Sequence, residues 1–541
     1  MLAANIANCA DARARAYNFC DHHHGARTMP NVRHSRWRCR CRQHPSAMCL
    51  VPPSPEVMAE TFMDYKNSPL REKLSFKEYL KYIGFTDPAA DVVGMDDAAR
   101  FVAAPSGDPQ LLAIPSQPVI GDLRVMVLLV EFPDRRGAKP PQQYRDMLFS
   151  DGIYPTGSMC DYYKEVSGGK VTVNGDVSDW LMMPHPYSYY VNGESGTQWK
   201  SYPHNAPRLA EDAVNAALAA GIQFDPALDK FNQGIITALF IVHAGRGAEV
   251  MPKAQRKSEI WSHKWQLRNP VSLPGNLSAT TYLVVPFDCK VGVCAHELGH
   301  LAFQWQDFYD PNYDEDGTEW DGTGIWDLMA GGSYNGTGAR PAHPAPLHKL
   351  QHGWISATKV TTSGAHTLQP FGASGGRVLK VISPAYAQGQ YLLLESRARK
   401  GFDKDLPGEG LLVWRVDEAG EQFSPTAPGL TLIQADGQRD LEDPDGWNQG
   451  DEGDPFPGSS GEDKLLDTGD ISTSFDGSRS GVEVRDIKFA PDGVVSLSIT
   501  IGNPSSSPVA AKSATPKKDK TYLERKAGAK ATKAKRNKAA K

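Results

Sequence analysis

The sequence has no apolar run long enough to cross a membrane. Its longest run, IITALFIVHA, begins at Ile235, whereas a membrane-spanning helix needs about 20 apolar residues. The first twenty residues, MLAANIANCADARARAYNFC, also lack the continuous apolar region of a secretory signal peptide. We therefore expect no membrane span, and no clear signal peptide is visible.

Cysteine is scarce beyond the first 50 residues. Five of the eight cysteines lie within residues 1–49, and only Cys160, Cys289 and Cys294 follow. This distribution excludes a disulfide scaffold for the body of the protein. Residues 1–50 are rich in arginine and have no periodic apolar pattern, so we predict a disordered leader.

The most informative motif is HELGH at residues 296–300. On a helix, His296 and His300 point to the same side, one turn apart, so both imidazoles can bind one cation. Glu297 stands beside them and can take a proton from metal-bound water. Gly299 is a poor helix former, which suggests that another group packs closely there. The alternative is a structural histidine pair, but the apolar stripe of KVGVCAHELGHLAFQW favours a helix whose histidines face a cleft.

Length and patterning predict several domains. The chain has 541 residues, 40% of them hydrophobic, and a formal charge of −5, which is typical of a multi-domain globular protein. We predict an α+β protein. Its parts would be a helical pro-segment at 51–119, a mixed α/β catalytic domain at 120–358, a β-sandwich at 359–503 with short alternating strands, and a disordered Lys- and Ala-rich tail at 504–541. The tail has no interleaved aromatic residues, so we expect a solvated extension and no nucleic-acid binding.

A zinc hydrolase needs a third protein ligand, and the motif does not supply it in the usual metzincin spacing. That spacing would place a glycine at residue 303 and a histidine at residue 306, where this chain has Phe303 and Gln306. The nearest carboxylates are Asp307 and Asp310. A glutamate on a second helix is the other arrangement, but the downstream glutamates lie in a loop-like stretch. We predict Asp307.

Further blocks extend the pattern beyond HELGH. HELGHLAFQWQDFYD, GIWDLMAGGSYNG with Met329, and KLQHGW resemble the immune inhibitor A type of secreted bacterial zinc metallopeptidase, as do SMCDYYKEVSGGKVTVNGDV and LLESRARKGFDKDLPGEGLLVWRVDE. The resemblance covers roughly residues 120–500. It implies a metzincin-like zinc endopeptidase that acts on protein or peptide substrates outside the cell, and we expect a monomer. It is consistent with zinc ligands at His296, His300 and Asp307, with Glu297 as general base, and with Tyr334 as a hydrogen-bond donor to the oxyanion.

Three further hypotheses come from the loops and the pro-segment. Two Gly-containing loops concentrate oxygen donors suited to calcium: Asp310, Asn312, Asp314 and Asp316 in the first, and Asp443, Asp445, Asn448, Asp451 and Asp454 in the second. Plain solvated turns are the alternative. Cys49 could hold the enzyme latent by occupying the open zinc position.

The runner-up function is a catalytically inactive surface or matrix protein that binds its partners through the β-sandwich. An intact Glu297 argues against it, because such a protein has no use for a general base.

Overall fold

The computed structural model of this chain describes residues 49–83, 100–103, 109–112, 118–309, 321–371, 376–420, 428–443, 447–469 and 471–502. All of them belong to one compact unit, Arg38–Lys541. The predicted disorder of residues 1–48 and 504–541 concerns residues outside these ranges, whereas residues 49–50, the end of the predicted disordered leader, form a strand.

The described helices are short. They are α1 (Pro55–Asn67), α2 (Phe76–Tyr82), α3 (Pro141–Phe149), α4 (Met159–Ser167), α5 (Tyr187–Val191), α6 (Ala206–Ala219), α7 (Lys253–Arg256), α8 (Val291–Leu298) and α9 (Pro346–Gln351). None of the helices in the described ranges combines the length and the apolar character that a membrane crossing requires.

The strands fall into two groups along the chain. The first comprises β1 (Cys49–Leu50), β2 (Arg100–Ala103), β3 (Pro109–Leu112), β4 (Gly121–Glu131), β5 (Val171–Met182), β6 (Leu239–His243), β7 (His263–Leu273) and β8 (Leu277–Pro286). The second comprises β9 (Ser356–Val360), β10 (Gly364–Leu368), β11 (Arg377–Val381), β12 (Gln390–Arg397), β13 (Gly410–Asp417), β14 (Leu430–Ile433), β15 (Val482–Phe489) and β16 (Val495–Ile501).

A six-stranded sheet carries the part of the chain that contains the HELGH motif. Its order is β1-β7-β8-β6-β4-β5. Strands β8, β6, β4 and β5 are parallel, whereas β7 runs antiparallel to β8 and β1 antiparallel to β7. The central run LRVMVLLVEF forms β4 as predicted, and its apolar residues are continuous because both faces are buried. Strand β8 leads directly into α8, so the sheet places the HELGH helix at the end of β8.

The helix that carries the histidine motif ends earlier than its apolar stripe suggests. Helix α8 stops at Leu298, a π-helical turn covers Gly299–Phe303, and Gln304 is left-handed with φ 58°. The prediction of a helix that continues to Trp305 is therefore wrong. Close packing at Gly299 is confirmed, because a Cβ there would lie 2.9 Å from both Met329 Sδ and the Trp305 ring. This packing leaves no room for a side chain at position 299.

The second half of the chain forms two sheets on one apolar core. One has the order β14-β13-β12-β11-β9 and the other β10-β16-β15, and inward residues of both, such as Leu394 and Leu497, belong to the same buried cluster. The alternating segments predicted for this region are the strands observed. The α+β class is confirmed.

The N-terminal described segment packs against the body of the protein. Helices α1 and α2 bury Phe62, Tyr65 and Phe76 together with Trp447 of the second half. The helix-like stretch 55–85 is interrupted, because Ser68 caps a 3-10 turn that begins at Pro69. Residues 49–50 reach the edge of the six-stranded sheet and pair with β7.

Candidate metal centre

Three of the predicted ligands converge. The Nε2 atoms of His296 and His300 are 3.1 Å apart, and Asp307 Oδ1 lies 3.3 Å from the first and 3.2 Å from the second. All three side chains are buried, with at most 2% of their surface exposed. The described residues thus bring two imidazoles and one carboxylate to a single point.

Each imidazole is oriented by a backbone carbonyl. Nδ1 of His296 donates to the Leu328 oxygen, and Nδ1 of His300 donates to the Trp305 oxygen, both at 2.9 Å. A carbonyl oxygen can only accept, so a neutral ring carries its hydrogen on Nδ1 and its lone pair on Nε2. Both lone pairs therefore face the carboxylate of Asp307.

This arrangement fits a zinc ion. Three electron-pair donors at this spacing repel one another unless a cation lies between them. Bonds of about 2.0–2.1 Å in a tetrahedral site put neighbouring ligand atoms about 3.3 Å apart, which matches the observed distances. Two histidines and one carboxylate also leave the fourth position open to water, as in catalytic zinc sites.

The left-handed turn after the helix brings Asp307 into place. The chain reverses at Gln304, and the Phe308 N–H then donates to the Met329 carbonyl at 3.0 Å. Met329 is fully buried and packs beneath the π-turn at Gly299. Met329, in the block GIWDLMAGGSYNG, therefore packs against the turn that carries His300.

Glu297 and Tyr334 differ in their surroundings. Glu297 is fully buried on α8, between the two histidines in sequence, and the carbonyl of Ala295 on the same helix accepts a bond from the Tyr163 hydroxyl at 2.6 Å. Tyr334 is half-buried, and its hydroxyl donates to the carbonyl of Pro52 at 2.6 Å. Tyr334 thus binds a peptide carbonyl of the chain itself.

A buried N-terminal strand lies beside the centre. Cys49 and Leu50 pair with Lys264 and His263 of β7. Of Cys49, the structure describes the backbone and not the side chain. The Leu50 carbonyl accepts from the Tyr309 hydroxyl. Val51 is fully buried. Its N–H donates to Ser262 at 3.1 Å, and its carbonyl accepts from the Trp261 ring at 2.9 Å. We call residues 49–54 the edge segment.

A buried glutamate lies where the edge segment ends. The Ser54 N–H donates to the Glu249 carbonyl at 3.0 Å, while the Glu249 carboxylate accepts from the hydroxyl of Ser262 at 2.5 Å and from its N–H at 3.1 Å. Burial raises the pKa of Glu249 to about 7, against the effect of these bonds.

A second group of carboxylates lies in the loops around β14. Oxygens of Asp436, Asp451 and Asp454 approach one another within 4.8 Å. Burial, and next the Asp451 carboxylate, raises the pKa of Asp454 well above its ordinary value. Asn448 donates to Asp451 at 3.1 Å. Asp443 is described but is not part of this group, and Asp310, Asn312, Asp314, Asp316 and Asp445 lie outside the described residues.

Comparison with known proteins agrees with this geometry. Residues 120–358 match the family described as immune inhibitor A peptidase M6, catalytic domain. We call residues 120–358 the M6 domain, after the family that they match. Immune inhibitor A of Bacillus thuringiensis subsp. alesti is 31% identical over 278 residues, 42% of this chain and 40% of that protein. Pre-pro-metalloprotease PrtV of Vibrio cholerae serotype O1 (strain M66-2) is 29% identical over 267 residues, 39% of this chain and 27% of that protein. The chain thus covers less than half the length of either relative.

The M6 domain contains all the residues of the metal centre, but the sequence did not reveal every contributor to the two sites. The carbonyls of Leu328 and Trp305 carry no side-chain signature and become visible only in the folded chain. Asp436 belongs to the second carboxylate group and was missed, although an acidic residue shortly after a predicted strand is a usable signal.

Proposed function

We propose that this protein is a zinc-dependent endopeptidase. One observation carries the proposal: the lone pairs of His296 and His300 and the carboxylate of Asp307 meet at 3.1–3.3 Å in a buried site. A family of peptidases matches the same segment, and one relative, PrtV of Vibrio cholerae, is named as a metalloprotease. A metzincin-like catalytic domain followed by a β-sandwich is the fold that we infer for residues 120–503.

The chain's own residues have separate roles in this proposal. His296, His300 and Asp307 would hold the zinc ion. Bound zinc supplies a water of pKa about 7 and polarises the scissile carbonyl. Glu297 accepts the proton of the attacking water and passes it to the leaving nitrogen. Tyr334 donates a hydrogen bond to the oxyanion. Its bond to the Pro52 carbonyl supports this role, because the Tyr334 hydroxyl already donates to a peptide oxygen.

We further propose that the described form is latent. The edge segment is buried, pairs with β7 and engages Tyr334, so a substrate could not use the same surface. Cys49 would contribute by presenting its thiolate to the open metal position. The Vibrio relative is named as a pre-pro-metalloprotease, that is, a protein with pre- and pro-segments.

A calcium ion at Asp436, Asp451 and Asp454 is our second metal proposal. Three carboxylates in so small a space repel one another, and a divalent cation with oxygen ligands relieves that repulsion. We also propose that the peptidase is extracellular and monomeric and that it cleaves protein or peptide substrates. This part of the proposal rests on the resemblance.

Metal analysis and digestion test the peptidase proposal together. Once the edge segment has been released by limited proteolysis, we expect about one zinc per chain and digestion of casein that a zinc chelator abolishes. Glu297→Gln should keep its zinc and lose cleavage by at least 100-fold, because general-base catalysis typically contributes 10²–10⁴-fold. Glu131→Gln, at the end of β4, is the control and should digest casein normally. A fully active Glu297→Gln protein would refute the role of that residue, and a zinc-free active protein would refute the metal.

A further inference from the structure

Two backbone carbonyls of one turn beside the metal centre hold two of the proposed zinc ligands in place. We call Trp326–Met329 the support turn. The Leu328 carbonyl accepts from Nδ1 of His296 at 2.9 Å, and the Met329 carbonyl accepts from the N–H of Phe308, the neighbour of Asp307, at 3.0 Å. A displacement of this turn would therefore move two groups that set the ligand geometry.

Arg397, the last residue of β12, holds the support turn from one side. Its side chain is fully buried, and Nη1 donates to the Trp326 carbonyl at 3.1 Å. The other end of the guanidinium is fixed by Asp403, which accepts from Nε at 2.7 Å and from Nη2 at 2.6 Å. Because the guanidinium is planar and rigid, the bidentate bond to Asp403 also aims Nη1 at Trp326.

The charges around Arg397 are balanced. Glu395 accepts from Arg397 at 3.3 Å and lies 3.5 Å from Lys349 Nζ, and all of these side chains are buried. Two carboxylates, those of Glu395 and Asp403, thus face two cations. A buried ion network of this kind holds one geometry, since any displaced member would leave a charge unpaired in a medium of low dielectric constant.

Asp454 holds the support turn from the other side. The ring N–H of Trp326 donates to Asp454 Oδ2 at 2.8 Å, and the Asp451 N–H donates to the same oxygen at 2.9 Å. Trp326 is fully buried. Its backbone and its ring are therefore both bound by residues that follow the M6 domain in the chain.

We propose that Arg397 and Asp454 are positioning residues of the metal centre. By fixing Trp326 from two sides, they keep the Leu328 carbonyl on Nδ1 of His296 and so keep its Nε2 lone pair directed at the metal. Outer-shell partners of metal-bound histidines act in this way, and their loss typically costs 10–100-fold in metal affinity. This inference rests on the proposed zinc peptidase, and it makes the C-terminal sheets part of the active site.

Two substitutions test the inference in the full-length chain. Trp326→Phe removes the ring N–H that binds Asp454, together with part of the indole ring, and Arg397→Lys keeps the charge but cannot bind Asp403 and Trp326 at once. Trp180→Phe, on β5, is the first control, because it removes the same ring atoms and a ring N–H bond of 2.8 Å to the Lys139 carbonyl. Arg415→Lys is the second, since Arg415 is a half-buried arginine of β13 whose guanidinium donates to the Ser472 carbonyl. Zinc affinity is measured on the metal-free proteins by competition with a coloured chelator, and kcat and KM are measured on the zinc-loaded proteins after release of the edge segment.

We expect Trp326→Phe and Arg397→Lys to lower zinc affinity 10- to 100-fold and to lower kcat, with KM within twofold of wild type, while both controls match wild type. Folding is checked by circular dichroism, and Trp326→Phe decides the question if Arg397→Lys does not fold. Variants that bind zinc within threefold of wild type would overturn this inference alone. A wild-type chain that neither binds zinc nor cleaves casein would overturn the proposed function and this inference with it.

Discussion

At the scale of single residues, the metal centre depends on how the fold orients three buried side chains. His296 and His300 were recognisable because two imidazoles one helical turn apart have a specific use, and the structure adds what spacing could not show, namely that each ring is held by a carbonyl. Asp307 was the closest carboxylate downstream of the helix, and the structure brings it to the histidines through a left-handed turn at Gln304 that no propensity would predict.

Glu249 makes a pH-dependent contribution to stability. Burial raises its pKa from an ordinary 4.5 to about 7, with Asp288 adding a smaller effect in the same direction. Between these pH values the folded protein holds a proton that the unfolded chain has lost, so the free energy of unfolding falls as the pH rises through this window. The loss amounts to up to about 3 kcal/mol.

We therefore expect Glu249→Gln to lose less stability than wild type between pH 5 and pH 8, as measured by the urea midpoint at each pH. Glu60→Gln, at an exposed position of α1, should behave like wild type. Equal losses in Glu249→Gln and wild type would show that Glu249 does not titrate in this window.

At the scale of elements, prediction succeeded where the apolar pattern was continuous or alternating. The run that forms β4 is buried on both faces, and each of the short segments that form β11 to β13 carries a cluster of apolar residues at buried positions. Strand β7, HKWQLRNPVSL, was not predicted because it contains charges and a proline, and its register is irregular between Gln266 and Val271. The end of α8 was misplaced because Gly299 permits a π-turn that apolar periodicity does not distinguish from a helix.

The edge segment provides a prediction at this scale. Val51→Asp would place a charge at a fully buried position, which costs several kcal/mol and favours release of the segment. We expect the intact chain to cleave a quenched fluorescent peptide at least ten times faster than wild type does. Glu60→Ala is the control on the exposed face of α1. Unchanged activity in Val51→Asp would contradict latency through this segment, and unchanged latency in Cys49→Ser would exclude the thiol as its cause.

At the scale of the whole molecule, the M6 domain is not self-contained. Trp326 lies within residues 120–358, yet both of its buried hydrogen bonds to side chains are made by residues beyond them. Sequence patterns predict two regions here, because the spacing of apolar residues changes after residue 358. They could not show this dependence, since long-range contacts between Arg397, Asp454 and Trp326 leave no local pattern.

Calcium binding at Asp436, Asp451 and Asp454 would stabilise this arrangement. We expect a calcium-selective chelator to lower the melting temperature by about 5 °C, since an ion bound at 100 times its Kd contributes about 2.7 kcal/mol. Zinc content is measured in the same samples to confirm that the catalytic ion is retained. The double variant Asp451→Asn, Asp454→Asn should show no response, and a wild-type protein indifferent to the chelator would count against this site.

The oxygen that Tyr334 holds belongs to Pro52, and Pro53 follows it. The bond between two prolines has no N–H, and the rings lock the backbone on both sides. A segment held there would offer the proposed peptidase a tertiary amide in place of an ordinary secondary amide, so it would resist digestion by the enzyme that we propose it blocks. Its removal would then depend on a cut elsewhere in the polypeptide, which puts the moment of activation under the control of whatever makes that cut.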